Sequence, residues 1–210
     1  MEQIDKTADL LRQKMERMSA ARDLAYQRSR KLISLCARSI RAVHREEWET
    51  AESLIAAAKL AADTLVEGVE GYCNLYWAGY TQDALKEFVE ANLTYALIRQ
   101  RPLPTPEELG AEPATWLNGL AEATTELRRR ILDIIRHGHT AEAERLLGAM
   151  DQVYSVLVTF DFSDKITGGL RRRTDVVRSV LERTRGDVTT SLRRAELENA
   201  LKALEAKLSR

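Results

Sequence analysis

Apolar residues recur at three- and four-residue spacing along nearly the whole chain, and very little punctuates them. A strand would need apolar and polar residues to alternate, and no segment does so. Four prolines and ten glycines in 210 residues are too few to supply the turns of a β fold. Ala, Leu, Glu and Arg dominate instead, and all four are good helix formers. The expected class is all-α, and the length favours one domain, 1–210.

The chain reads as a succession of helices. The first covers about 3–44, as one or two pieces, with Leu11, Met15, Met18 and Ala25, then Leu32, Cys36, Ile40 and Val43 as its stripe. A second, about 46–69, is rich in Ala and carries Leu54, Ile55, Leu60 and Leu65. A third, about 72–99, is interrupted near Gly79 and ended by Pro102, Pro104 and Pro106. Thr105, Pro106 and Glu108 form a start signal for a short turn that Gly110 closes.

A fourth long helix, about 113–136, holds Trp116, Leu117, Leu120, Leu127, Ile131 and Ile134. His137, Gly138 and His139 end it, and Thr140 is placed to cap the next, which runs to about 160. The segment FDFSDKITGG, 160–169, is expected to be a loop. The rest, 170–210, is one long helix or two, weakened at Gly186, with 187–210 as a helical C-terminal extension. There Leu197, Leu201, Leu204 and Leu208 form a heptad seam that calls for a partner helix, so a helical interaction module is one functional class to weigh.

Thirty-two basic and 32 acidic residues cancel, so the chain lacks the global basic excess of many nucleic-acid binders. A polyanion would have to be held by a local basic patch. Cys36 and Cys73 sit in helical patterns without C-x-x-C spacing and are expected to be buried free thiols in a reducing compartment. No cleavable leader and no apolar run near 18 residues is apparent, which points to the cytoplasm and to no membrane partner.

Two acid pairs carry the most chemistry. Glu87 with Glu90, and Glu122 with Glu126, each have a spacing that puts both carboxylates on one helical face. If the two helices met along those faces, four oxygen donors would converge, an arrangement suited to a hard cation such as Mg²⁺ or Mn²⁺. Surface helices also carry glutamates at this spacing, so spacing alone leaves both readings open. A ferritin-like di-iron centre is disfavoured, because neither Glu90 nor Glu126 has a His three residues on.

Other residues admit plainer readings. Arg171, Arg172 and Arg173 are either a solvated run or a phosphate-facing patch, and Arg128 to Arg130 read as a solvated face paired with Asp133 or Glu126. His137 and His139 are better placed as helix caps than as ligands. His44 suits a phosphate contact or an interhelical hydrogen bond. Trp48, Trp77 and Trp116 read as core or subunit-interface residues rather than base-stacking platforms.

Four stretches in order resemble the translin/TRAX family. SRKLISLCARSIRAVHR, Ser29 to Arg45, is similar to the family's basic helix signature, and DALKEFVEA, Asp83 to Ala91, to its acidic motif. WLNGLAEATTEL, Trp116 to Leu127, resembles its second acidic motif, and LRRRTDVVRSVLERTRGDV, from Leu170, its last helix. The resemblance implies a translin-like bundle of about seven helices that assembles into a hollow homo-oligomer, an octamer, and binds single-stranded RNA, with single-stranded DNA a further candidate.

For the TRAX-type members it implies a Mg²⁺-dependent (or Mn²⁺-dependent) endoribonuclease. Glu87, Glu90, Glu122 and Glu126 then stand as catalytic residues, with Glu90, Glu122 and Glu126 as metal ligands and Glu87 as a ligand or base. Glu122 departs from the family's Asp, which moves the carboxylate by about one carbon–carbon bond at an ion that tolerates little geometric error. Arg30, Lys31, Arg38, Arg41 and Arg45, with Arg171, Arg172 and Arg178, are the expected phosphate contacts. The competing expectation is a translin-like shell that binds single-stranded nucleic acid without cleaving it.

Overall fold

The structure is a computed structural model that describes residues 2–138 and 140–208, with Thr140 as backbone only. His139 and the cap expected from the Thr140 side chain lie outside the described residues. Among the described residues there are nine helices and no strand. They are α1 (Glu2–His44), α2 (Trp48–Glu67), α3 (Cys73–Tyr76), α4 (Gly79–Arg99), α5 (Pro106–Leu109), α6 (Pro113–Ile135), α7 (Thr140–Leu157), α8 (Asp164–Thr167) and α9 (Leu170–Leu208). Three of them, α3, α5 and α8, are single turns of four residues. No helix among the described residues is long and apolar enough to cross a membrane.

The chain forms two compact units, Met1–Asn92 with Pro106–Ala111, and Leu93–Thr105 with Glu112–Arg210. In the first, α1 is a single helix of 43 residues. Its inner half buries Ala25, Leu32, Cys36, Ile40 and Val43, and α2 packs against it. The buried stripe of α2 is Ala51, Ala58, Ala62 and Leu65, while Leu60, expected in it, is 70% exposed. Small alanines let the two helix backbones approach closely, so the helix turns its alanine face inward and leaves a leucine in water. Tyr26 on α1 meets Tyr80 on α4 edge to face, ring centroids 5.8 Å apart, a geometry that places a positive ring edge on a negative face.

Helix α4 has buried residues on every side rather than along one stripe, with Thr81, Glu90 and Thr94 among them, the pattern of a helix surrounded by protein. Its end is set locally. Gln100 takes φ +54°, and the Arg101 N–H reaches back to the Ala96 carbonyl at 2.9 Å, a Schellman-type closure ahead of Pro102.

In the second unit α6, α7 and α9 pack on one another. The apolar stripe of α6, with Leu120, Leu127, Ile131 and Ile134, is buried as its spacing demands. The indole N–H of Trp116 donates to the Pro104 carbonyl at 3.0 Å and ties the first turn of α6 to the proline segment. The segment 160–169 is not wholly loop. The Ser163 hydroxyl accepts from the Lys165 N–H at 3.4 Å and starts α8, which Gly168 ends at φ +61° with its N–H on the Asp164 carbonyl at 2.8 Å.

Packing makes a direct prediction. Ile131→Ala removes most of a fully buried side chain and is expected to cost about 2–5 kcal/mol. Leu60→Ala, on the wet side of α2, should stay within about 0.5 kcal/mol. Urea denaturation of both variants checks the contrast.

Candidate functional site

Each acid pair can be followed on its own helix. In the first unit Glu87 and Glu90 lie three residues apart on α4, so their side chains leave the helix about 60° apart around its axis. Glu90 is only 7% exposed. A carboxylate is rarely carried so deep, because losing water is costly for the charged form unless neighbours compensate. Glu87 is half-buried, and the Lys86 ammonium stands 3.9 Å from its Oε1. Both acids act on Cys36 of α1. Burial pushes that thiol up, and the negative charges of Glu87 and Glu90 push it further, to about 12.

That shift has a sign and a test. A thiol whose pKa rises from 9.0 to about 12 on folding contributes stability that is complete below pH 9 and is lost as pH climbs toward 12. It is also a poor nucleophile at ordinary pH. Cys73 differs from expectation, being exposed, because α3 is a single turn with one buried residue, Leu75. Native protein at pH 8 should therefore react with a thiol reagent at Cys73 and not at Cys36. Mass mapping of the labelled peptide checks this, and denaturation should reveal the second thiol.

In the second unit Glu122 and Glu126 are one turn apart on α6, both about three-quarters buried at the side chain. Glu122 is fixed from another helix. Its Oε1 accepts from Nε of Arg173 on α9 at 3.0 Å, and Arg173 Nη1 donates to Asn118 Oδ1 at 3.0 Å and to the Gly168 carbonyl at 3.2 Å. The Asn118 amide in turn donates to the Thr167 and Ala114 carbonyls, each at 2.7 Å. Glu126 stands 3.8 Å from Arg129. The sequence gives no sign of Asn118, and Arg173 reads there only as one of three arginines that are either solvated or phosphate-facing. The i, i+4 spacing of Asn118 and Glu122 put them on one face, but a pairing across 51 residues leaves no local trace.

The basic residues of the first helix share a face. At 100° per residue, Arg30, Lys31, Arg38 and Arg41 on α1 and Arg45 just beyond it fall within an arc of about 100°, opposite the buried stripe. All five are exposed. Arg45 lies 3.9 Å from Glu47. On α9, Arg171, Arg172 and Arg178 are exposed too, and Arg178 pairs with Glu182 at 3.0 Å. The run of three arginines is thus divided, with Arg171 and Arg172 in water and Arg173 committed to α6. Arg128 departs from its expected partners and pairs with Asp187 at 2.8 Å.

The remaining candidates fall on the plainer side. His137 Nδ1 sits 2.9 Å from the Asp133 carbonyl, an oxygen that can only accept, so the ring caps the end of α6. Trp48 and Trp116 are half-buried, whereas Trp77 is 55% exposed and no core residue. Its ring meets Tyr76 at 5.1 Å on the single turn of α3.

An all-α chain with carboxylate pairs one turn apart on two of its long helices and an exposed basic face on the first is an acid-bearing helical protein. No family model matches it. It is similar to the crystal structure of AfC3PO, with TM-score 0.83 and 32% identity covering 91% of this chain and 99% of that one. A structure of an AfC3PO complex with duplex RNA aligns at TM-score 0.79, with 32% identity over 91% of this chain and 98% of that one. An uncharacterised protein of Methanocaldococcus jannaschii is 30% identical over 186 residues, 86% of this chain and 81% of the relative. Apo-NeC3PO, 21% identical over 88% of this chain and 96% of its own, shares the fold at TM-score 0.80. C3PO is the assembly of translin and TRAX. The chain belongs to the translin/TRAX family.

Proposed function

We propose that this chain is a Mg²⁺- or Mn²⁺-dependent endoribonuclease of the translin/TRAX type, acting in the cytoplasm on single-stranded RNA and assembled as a homo-octamer. Glu90, Glu122 and Glu126 hold the ion, and Glu87 completes the set as a ligand or as the base for the attacking water. The donor set fits: carboxylate oxygens are what a hard divalent cation takes, and these are shielded from bulk water. A divalent ion, when bound, supplies positive charge for a non-bridging phosphate oxygen and makes water easier to deprotonate.

The chain's own side chains do the rest. In the base role Glu87 would accept the proton of the water it orients, and Arg173 keeps Glu122 turned to one position. Arg30, Lys31, Arg38, Arg41 and Arg45, with Arg171, Arg172 and Arg178, hold the phosphodiester backbone. Because those contacts reach phosphate and not base edges, sequence preference is weak.

Nucleic-acid binding is supported by a relative at 32% identity that has been seen with duplex RNA. The observation that carries the nuclease reading is the depth of Glu90, one turn from Glu87, where the family resemblance places its acidic motif. One incubation tests it. Labelled single-stranded RNA with Mg²⁺, with Mn²⁺ or with chelator should be cut internally in the first two and remain intact in the third. RNA that is bound but uncut in all three would leave a binding shell without catalysis.

A further inference from the structure

The first half of α1 stands outside the packing of the chain and yet carries the same seam as the buried half. Ile4, Ala8, Leu11, Met15 and Met18 follow one another at steps of four, three, four and three. After Arg22 the repeat continues without a change of register through Ala25, Ser29, Leu32, Cys36, Ser39 and Val43. Those six are buried. On the outer half Ile4 is 68%, Leu11 57% and Met15 65% exposed. Residues 2–17 are all exposed, and Met18 is the first residue of α1 to be half-buried, its sulfur accepting from the Asn74 amide at 3.5 Å. An unbroken heptad repeat is the pattern of a helix paired along its length.

The charges beside the seam select the occupant. Asp5 and Arg12 flank it on one side, Thr7 and Lys14 on the other. In an antiparallel pair of identical helices, residues on the same side face each other. With Leu11 over Ala8 of the second copy, Asp5 faces Arg12 of that copy and Arg12 faces its Asp5, so one geometry yields two opposite-charge contacts. Sliding one heptad in one direction sets Arg12 against Arg12 and Lys14 against Lys14. Sliding one heptad in the other sets Asp5 against Asp5. A parallel pair gains no opposite charges and stacks Arg22 on Arg22 inside the seam. In the favoured register Arg22 lies beyond the overlap and stays in water, where it is exposed.

We infer that the outer half of α1 is a self-association surface, pairing antiparallel with the same segment of a second copy through Ile4, Ala8, Leu11 and Met15. The contact is independent of the acid pairs, so it stands whether or not the chain cleaves RNA.

The test uses the full chain, with mass measured by sedimentation or light scattering and helicity by circular dichroism. Leu11→Glu with Met15→Glu should lower the assembly mass at unchanged helicity. Asp5→Arg turns both attractive contacts into arginine pairs and should raise the half-assembly concentration on the order of tenfold. Adding Arg12→Asp to it restores opposite charges and should recover the original assembly. In a Cys73→Ser background, chains with Ala8→Cys should form disulfides with chains carrying Leu11→Cys, and Leu11→Cys chains alone should not link to themselves. An unchanged mass in every variant overturns the surface. Failure of the double charge reversal to recover assembly, or self-linking of Leu11→Cys, overturns the antiparallel register.

Discussion

Glu90→Ala combined with Glu126→Ala is expected to lower metal-dependent cleavage of single-stranded RNA by about three orders of magnitude or more, while RNA is still retained on the protein. The two acids sit on different helices, so the double change removes a ligand from each half of the proposed ion site. The fold should survive, because alanine is the best helix former and neither acid belongs to the buried apolar residues of α4 or to the apolar stripe of α6. Glu90 is buried, so the melting temperature of the double variant is read beside its activity, and cleavage is compared well below both melting temperatures. Retained cleavage at full stability would remove the carboxylates from the mechanism. A second readout separates metal from chemistry: the unaltered protein should bind Mn²⁺ in a titration, and the double variant should not.

The second large effect concerns the basic face. Replacing Arg30, Lys31, Arg38, Arg41 and Arg45 together with alanine should weaken single-stranded RNA binding by about a hundredfold at low salt. Each phosphate contact to a single strand contributes about 0.7 to the slope of log affinity against log salt, so five contacts give a slope near −3.5. Between 50 and 200 mM salt that slope alone costs about a hundredfold. The unaltered protein should show the steep slope, and the five-residue variant one that is shallower by about 3.5. All five residues are exposed on the side of α1 away from its packing, so the substitutions should leave stability within about 1 kcal/mol. An unchanged slope would place the nucleic acid elsewhere.

The helices were legible because their stripes are long. Leu120, Leu127, Ile131 and Ile134 recur at helical spacing and are all buried, so periodicity alone located the face of α6. Where periodicity competes with packing it misleads. Leu60 fits the α2 pattern as well as Leu65 does, but the alanine face wins because it allows the closer approach to α1. Short elements were harder still. The turn α8 depends on one serine cap and one left-handed glycine, signals that equally describe a loop.

The acid pairs were legible for the same reason as the stripes, since i, i+3 and i, i+4 spacing fixes a shared face. The partners of those acids were not. Arg173 reads as one of three like arginines, and only the tertiary fold separates it from Arg171 and Arg172. The thiol of Cys36 belongs with Glu87 and Glu90 although half a hundred positions intervene, and no local pattern announces it.

The clasp on Glu122 has an evolutionary corollary. Arg173 touches Glu122, Asn118 and the Gly168 carbonyl at once, and Asn118 returns to the carbonyl beside Gly168. A glutamate reaches that guanidinium where an aspartate, shorter by one methylene, would fall about 1.5 Å short. Exchange between the two acids is thus not a private matter of one position. A lineage that shortens this side chain must re-seat the arginine or replace it, and the asparagine oxygen then loses the donor it accepts from. Acid length, asparagine and arginine should accordingly drift as a trio when related chains are compared.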